Sequence, residues 1–596
     1  MTEPQPHPDA PRRSRYLLVL GVIYALHLAL LVYALPPEVV LGDTPYAAPD
    51  YQTHYHQTTR LTEAVDRLGR FWAYNPDMLA GVPVGLIFDV DNKLHFLFTY
   101  GLTRLGVARP AAFNLFTVYA GLVAPLWLWL AARLFRLGRR SELVAAGLAV
   151  LLWHFDSSCR FSWTGGMISF GAASLGSVAV LALYYRMVTD GSTRYLYPLL
   201  VLLPLHLLTH VWTFSILVVP MVGLYLRHLR TAGLAGHART WGLAAFSVAV
   251  NLYWLWPALE HVGLIAPSGV VGQTNPLYIF TDWLELLVSP INTGFVIPHT
   301  LFRFAAIAGA VIVVWRWRRE RDGRFFVAAL SLGWLFGLSY VAALIPGLRE
   351  TEPYRFVMPA MLCAAVFGAP WWAGALSWSK LRAMPRALQV GLAVLLVLLV
   401  PRVAGQIVYF VPELSPELRL PPLVLNQSKA PPTGTIPVEE RPPSYIPRSW
   451  RARSVDEGLM SLARYLDHEC KEPGRVLVQH WAVGEFLGWA QSKPVIGGFP
   501  DRRLIHEDAY LFRRPTDPRF WDAELARYLV RYNIRYVVMT DPVHVVEKRR
   551  DLLEPVKIIM PHRVYRVRHR ASYFARGSGK VSTRLDEIRV TDARPA

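Results

Sequence analysis

Apolar positions along this chain gather into long runs, concentrated before residue 406 and mostly near the 18 to 25 residues or so that span a hydrocarbon core roughly 30 Å thick. The runs at 16–35, 110–134, 143–155, 166–185, 241–259, 304–315, 325–344, 356–376 and 388–401 each predict one crossing helix. The stretch 195–226 is too long for a single span. His206, Thr209 and His210 interrupt it, so it predicts two helices turning near His210. About eleven spans result. Residues 91–106 differ, because Leu94, Leu97, Phe98 and Leu102 share one side of a helix, the pattern of an amphipathic element lying along the interface.

Charge orients these spans. Arg12, Arg13 and Arg15 precede the first run, which is too long for a signal peptide and lacks a small-residue cleavage site, so it reads as a retained first helix with its N-terminus inside. Alternating from there, each strongly basic loop falls on the same inner side: Arg133, Arg136, Arg139 and Arg140; Arg227 and Arg230; Arg316, Arg318, Arg319 and Arg321; Lys380, Arg382 and Arg386. Removing one helix breaks the alternation of all that follow. The outer face then receives the long polar loop 36–90, the short loop 156–163, the loop after residue 259, the segment 350–355 and everything beyond the last span.

After residue 401 the pattern changes. Residues 406–453 are proline-rich with little periodicity and predict an extended linker. Helical spacing at 455–466 and 523–531 alternates with strand-like runs at 475–479, 536–539, 556–560 and 564–567, the signature of an α/β domain. The expected fold class is therefore a polytopic α-helical membrane protein of about eleven spans over residues 1–405, followed by the linker and a soluble α/β domain, 454–596, on the outer, periplasmic face of a bacterial plasma membrane.

Composition alters this picture little. The chain is 53% hydrophobic and 18% charged, more apolar than one soluble core requires. Its formal charge of +19 resides largely in the short inner loops, where it reports orientation and not nucleic-acid binding. Cys159, Cys363 and Cys470 are too few and too scattered for a disulfide framework or a cysteine metal site.

Ionisable residues at a membrane edge are costly and tend to serve function, so the outer loops hold the candidate chemistry. In a helix beginning near Asp50, Asp50 and His54 share one face and can meet a single substrate group, the carboxylate as general base and the imidazole orienting it or binding phosphate. Spacing alone favours the plainer reading, in which Asp50 caps the helix and His54 is solvated. Arg355 offers a planar, permanently charged fork to phosphate oxygens at the interface, with Tyr354 beside it, although interfacial anchoring by snorkelling explains an arginine there equally well. His210 is a candidate cavity residue at its helix turn. Asp89-Val90-Asp91 has the form of a metal or nucleotide-sugar motif but directly precedes the amphipathic helix, where acidic residues suit a helix N-terminus.

Asp50-x-x-x-His54, followed by Trp72-x-x-Asn75-Pro76 and Gly81-x-Pro83-x-Gly85, resembles the first outer loop of polytopic glycosyltransferases of the GT-C type. The resemblance extends to the amphipathic helix, to Leu208-Thr209-His210 and to Pro353-Tyr354-Arg355-Phe356. The segment Trp481-Ala482-Val483-Gly484-Glu485 through Pro494-Val495-Ile496-Gly497-Gly498 resembles the soluble-domain entry of relatives of the oligosaccharyltransferase catalytic subunit. It implies a polyprenyl-phosphate or polyprenyl-diphosphate sugar donor used at the outer membrane face. Asp50 and His54 are then expected to be catalytic, with Tyr354, Arg355, His210 and Trp72 binding substrate. Asp156 matches a second acidic position, and Asp50 and Asp156 would hold Mg or Mn if a metal is used. One acid stands where the oligosaccharyltransferases carry a pair, and the soluble domain lacks a proper Trp-Trp-Asp motif, so peptide-sequon glycosylation is not implied.

The expected function is transfer of a sugar from a lipid-linked donor to a glycan, lipid or protein acceptor by an inverting displacement. The alternative is a non-catalytic relative that binds or moves a lipid-linked glycan. A secondary transporter ranks below both, since polar groups gather in outer loops and not at the bilayer midplane.

Overall fold

The structure is a computed structural model. It describes residues 13–86, 90, 92–264, 301–348, 351–375, parts of 385–397, 451–497, 511–513, 518–540, 545–568, 575–576 and 594–595. Asp89 and Asp91, the loop 265–300, most of the eleventh predicted span and the linker up to residue 450 lie outside these residues.

Helix α1 (Arg13–Ala34) opens the chain. A short α2 (Pro37–Val40) follows, then α3 (Pro49–Leu68), whose start carries Pro49 at N1, where the missing N–H goes unneeded, and whose end is Gly69 at a φ of 62°. Strands β1 (Ala73–Asn75) and β2 (Val82–Val84) form a hairpin. Next come α4 (Lys93–Arg104), α5 (Arg109–Leu134), α6 (Arg139–Phe155), α7 (Ser157–Thr164), α8 (Ile168–Asp190), α9 (Leu196–Thr209), α10 (Thr213–His228), α11 (Gly233–Ala249) and α12 (Leu252–Glu260). The helical body is completed by α13 (Leu301–Arg319), α14 (Arg324–Tyr340) and α15 (Val357–Ala375).

Among the described residues four helices, those containing α1, α5, α8 and α15, are long and apolar enough to cross a membrane, and five if the bent pair α11 and α12 counts as one. The protein is thus a membrane protein of several apolar helices. α8 and α15 are its inner pillars, buried over most of their length. α15 approaches α13 closely because Gly309 faces Gly368, where an added Cβ would lie 2.8 Å from the Ala306 carbonyl oxygen and from the Ala310 nitrogen, the small-residue contact that lets membrane helices pack backbone to backbone.

The turns after α5, α8 and α13 share one end of this body. Arg324, at the α13–α14 turn, donates through Nη1 to the Arg136 carbonyl 3.1 Å away, and Arg136 and Arg186 both pair with Asp190. The expected turn at His210 falls between α9 and α10. Two elements differ from expectation. The run 241–259 is not a straight span: α11 begins at Gly233 and meets α12 at 65°. The break is held by Asn251, which donates to the Pro204 and Ser247 carbonyls and accepts from the Trp254 indole. The short loop 156–163 is instead a helix, α7.

The amphipathic helix α4 forms, but its polar side is the buried one. Lys93 Nζ donates to the Gly85 carbonyl at 2.7 Å, and His95 is stacked between Phe113 and Phe116 with Nε2 3.1 Å from the Phe113 carbonyl. Satisfied polar groups can be buried, which leaves Leu94, Leu97 and Phe98 at the partly exposed edge.

The C-terminal residues build a five-stranded sheet, order β4-β3-β5-β7-β6, from β3 (Arg475–Val478), β4 (Val495–Ile496), β5 (Ile534–Met539), β6 (Leu553–Ile559) and β7 (His562–Val567). β4, β3 and β5 are parallel; β7 runs antiparallel to β5, and β6 antiparallel to β7 at the sheet's edge. Alternation assigns the faces: Leu477, Val537 and Met539 join α18 (Pro518–Arg531) on one, while Val476, Val478 and Val538 join α16 (Glu457–His468) and α17 (Trp481–Ala490) on the other. This is the expected α/β region, with α17 and β4 added.

Candidate active site at the start of helix α8

Helix α3 presents Asp50 and His54 one turn apart on one face. Asp50 stands at the start of α8: Gly166, at a φ of 106°, has room for no side chain, since its Cβ would lie 2.7 Å from Asp50 Cβ and 2.6 Å from the Tyr51 nitrogen. Tyr51 fixes the contact by donating its hydroxyl to the Trp163 carbonyl at 2.7 Å, and burial pushes this phenol up so that it remains a donor. His54 is held from the other side by Asn92, whose Nδ2 lies 2.8 Å from Nδ1.

Arg355 reaches the same helix start. It lies in a 3-10 turn, Pro353–Phe356, directly before α15, forms an ion pair with Glu352 and places its guanidinium carbon 5.4 Å from the centre of the Phe170 ring. Glu352 has a φ of 53°, an uncommon conformation for a side-chain-bearing residue and a mark of local strain. Phe170 also makes an edge contact with His210 at 5.2 Å. Within the first residues around α8, Gly166 therefore touches Asp50, and Phe170 touches both Arg355 and His210. Asp50 and Arg355 thus contact positions four residues apart at the start of α8, and His210 packs on the same ring as Arg355. Tyr354 sits half-buried in the same turn as Arg355.

Asp156 lies nearby but is fully engaged. Its Oδ1 accepts from the Ser158 and Cys159 nitrogens as the N-cap of α7, and its Oδ2 pairs with Arg303 Nε at 2.8 Å, both side chains being buried. Arg303 also donates to Ser158 Oγ at 3.0 Å. Burial raises the Cys159 thiol, with Asp156 adding to the effect, so it stays neutral. Among the described residues no three His, Cys, Asp or Glu side chains are grouped to hold a metal ion, and Asp89 and Asp91 lie outside them.

Trp72 is not brought to this cluster. It follows the far end of α3, which lies roughly 27 Å from Asp50 at the rise of an α-helix, and its ring packs under the Arg70 guanidinium and 6.4 Å from His261 beyond α12. Asn92, Phe170 and Arg303 join the site without any sequence pattern marking them, whereas the Gly165-Gly166 pair hints at the tight approach at Gly166, which has a φ of 106°. A shallow cleft beside Tyr51 is lined by Tyr46, Tyr51, Trp163, Thr164, Arg451 and Arg453.

A helical membrane body followed by a C-terminal α/β region is the fold seen in solved structures of GT-C glycosyltransferases. It is similar to the archaeal oligosaccharyltransferase AglB from Archaeoglobus fulgidus in complex with an inhibitory peptide and a dolichol-phosphate, at a TM-score of 0.51 and 13% identity over 88% of this chain and 69% of that one. A second structure of the A. fulgidus enzyme, tethered to an acceptor peptide containing the NVT sequon, gives 0.50 and 12% over 89% and 69%. ArnT from Cupriavidus metallidurans in the apo state gives 0.49 and 11% over 92% and 98%. No family model matches the chain, and no curated protein matches it.

Proposed function

We propose that the protein is a membrane glycosyltransferase that moves a sugar from a polyprenyl-phosphate or polyprenyl-diphosphate donor to an acceptor at the outer face of the plasma membrane. The convergence of Asp50 and Arg355 on the start of α8 carries this reading. The dolichol-phosphate bound by AglB supports a lipid-phosphate partner. In this mechanism the acceptor hydroxyl gives its proton to the Asp50 carboxylate as its oxygen bonds to the sugar C1. The bond from C1 to the phosphate oxygen breaks on the opposite side, which inverts the anomeric centre. Arg355 stabilises the leaving phosphate through charge-assisted hydrogen bonds, once the ligand draws it from Glu352. His54, steadied by Asn92, orients the carboxylate or the phosphate, and His210 and Tyr354 line the donor side. Asp50 and Asp156, the expected Mg or Mn ligands, are not grouped with a third donor among the described residues, and Asp156 is committed to Arg303.

The test is sugar transfer by purified wild type, Asp50→Asn and Arg355→Ala, with a panel of polyprenyl-phosphate and polyprenyl-diphosphate sugars. Loss in both variants is expected. Full activity in Asp50→Asn removes the base, and no transfer by wild type from any donor favours a protein that binds or moves a lipid-linked glycan.

A further inference from the structure

Helix α3 has a second face. Gln52, Tyr55 and His56 lie away from Asp50 and His54, and all three meet α17 of the C-terminal region. Trp489 Nε1 donates to Gln52 Oε1 at 2.9 Å, and the Tyr55 and Trp489 rings meet edge to face at 5.0 Å. His56 Nδ1 stands 3.8 Å from Glu485 Oε2, with both side chains buried, and Asn75 Nδ2 lies 3.4 Å from His56 Nε2. Gly488 completes the fit, since a Cβ there would fall 2.4 Å from the His56 ring.

The loop after α3 is attached as well. Val495 of β4 donates to the Asp77 carbonyl at 2.8 Å and accepts from the Leu79 nitrogen at 2.9 Å, so residues 77–79 continue the C-terminal sheet past its β4 edge. Apolar packing alone would leave α3 free to slide against α17. A buried carboxylate is tolerated only opposite its partner, and such a contact fixes position more than it adds stability.

On the transferase reading, we infer that α17 sets the position of α3, and with it Asp50 and His54, with Glu485 and Trp489 as positioning residues. The C-terminal region is then a structural part of the active site without touching the reacting atoms. Reaction geometry is sensitive at this scale, as a displacement of about 1 Å can slow a reaction roughly 100-fold.

The experiment uses the full chain in lipid nanodiscs, comparing wild type with Glu485→Ala, Trp489→Ala and Glu485→Gln by hydrogen exchange and by sugar transfer from the same donor panel. Both alanine variants should exchange at least tenfold faster within residues 49–60, with residues 168–190 unchanged as the control for intact folding. Their kcat should fall tenfold or more at constant KM. Glu485→Gln, which keeps an oxygen facing His56, should recover most of both. Unchanged exchange at 49–60 in both alanine variants overturns the inference, as does a loosened α3 with wild-type kcat. If wild type transfers no sugar, the transferase reading fails and the positioning role with it, while the exchange contrast still decides whether α17 holds α3.

Discussion

Replacing Gly166 by alanine tests the site through its backbone. At a φ of 106° any side chain is strained, by about 1 to 3 kcal/mol. The new Cβ would also lie 2.6 Å from the Tyr51 nitrogen and 2.7 Å from Asp50 Cβ. Carbon contacts settle near roughly 3.5 to 4 Å, so the first turn of α3 must retreat by about 1 Å. A shift of about that size, applied to the residue proposed to take the proton, should slow transfer roughly 100-fold. Gly138→Ala separates the two effects, because Gly138 has a φ of 91° and nothing within 4 Å of the added Cβ. It lies at the opposite end of α6 from Asp156. Gly166→Ala should lose at least as much melting temperature in detergent as Gly138→Ala, because the clash adds to the strain, while only Gly166→Ala should lose kcat. Transfer by Gly166→Ala within a few fold of Gly138→Ala would refute the placement of Asp50.

Other perturbations give separate readings. Arg303→Met should destabilise the protein by about 3 to 5 kcal/mol by stranding the buried Asp156 carboxylate, and the double variant Arg303→Met, Asp156→Asn should recover part of the lost melting temperature. Arg355→Lys keeps the charge but loses the fork, so kcat/KM should fall about tenfold or more, measured on any donor that wild type accepts. His562 is buried against Thr540, and burial, aided by His480 and Arg563 and opposed by Asp456, lowers it from 6.5 to about 4. The unfolded imidazole therefore takes up a proton first as pH falls. The contribution is complete above pH 6.5 and lost progressively down to about pH 4, up to about 3 kcal/mol. A melting temperature for His562→Gln as steep in pH as wild type between 4 and 6.5 would exclude this.

Much of the architecture was legible as hydrophobic pattern. The polar triplet at His206, Thr209 and His210 marked the α9–α10 turn, and short continuous apolar runs marked β3 and β5. The 65° break before α12 was not, because a lone Asn251 in the otherwise largely apolar run 241–259 gives no local sign that it reaches the Pro204 carbonyl on a distant helix. The eight residues of α7 carry no apolar period. Only the capping acid Asp156 announces them. Asp50 and His54 were visible because four-residue spacing on a helix is local information. The partner of Asp156 was not, since Arg303 lies 147 residues away and nothing local to either residue points to the other.

The hydrogen bond between Gln52 and Trp489 joins residues 437 apart in the chain. At ribosomal speeds of about 5 to 20 residues per second, the N-terminal loop waits roughly 20 to 90 seconds after its own synthesis before its docking partner exists. During that interval the face bearing Tyr55 and His56 is uncovered. A nascent chain arrested before residue 481 should carry that loop in a protease-sensitive state, dependent on whatever chaperones attend it until translation ends.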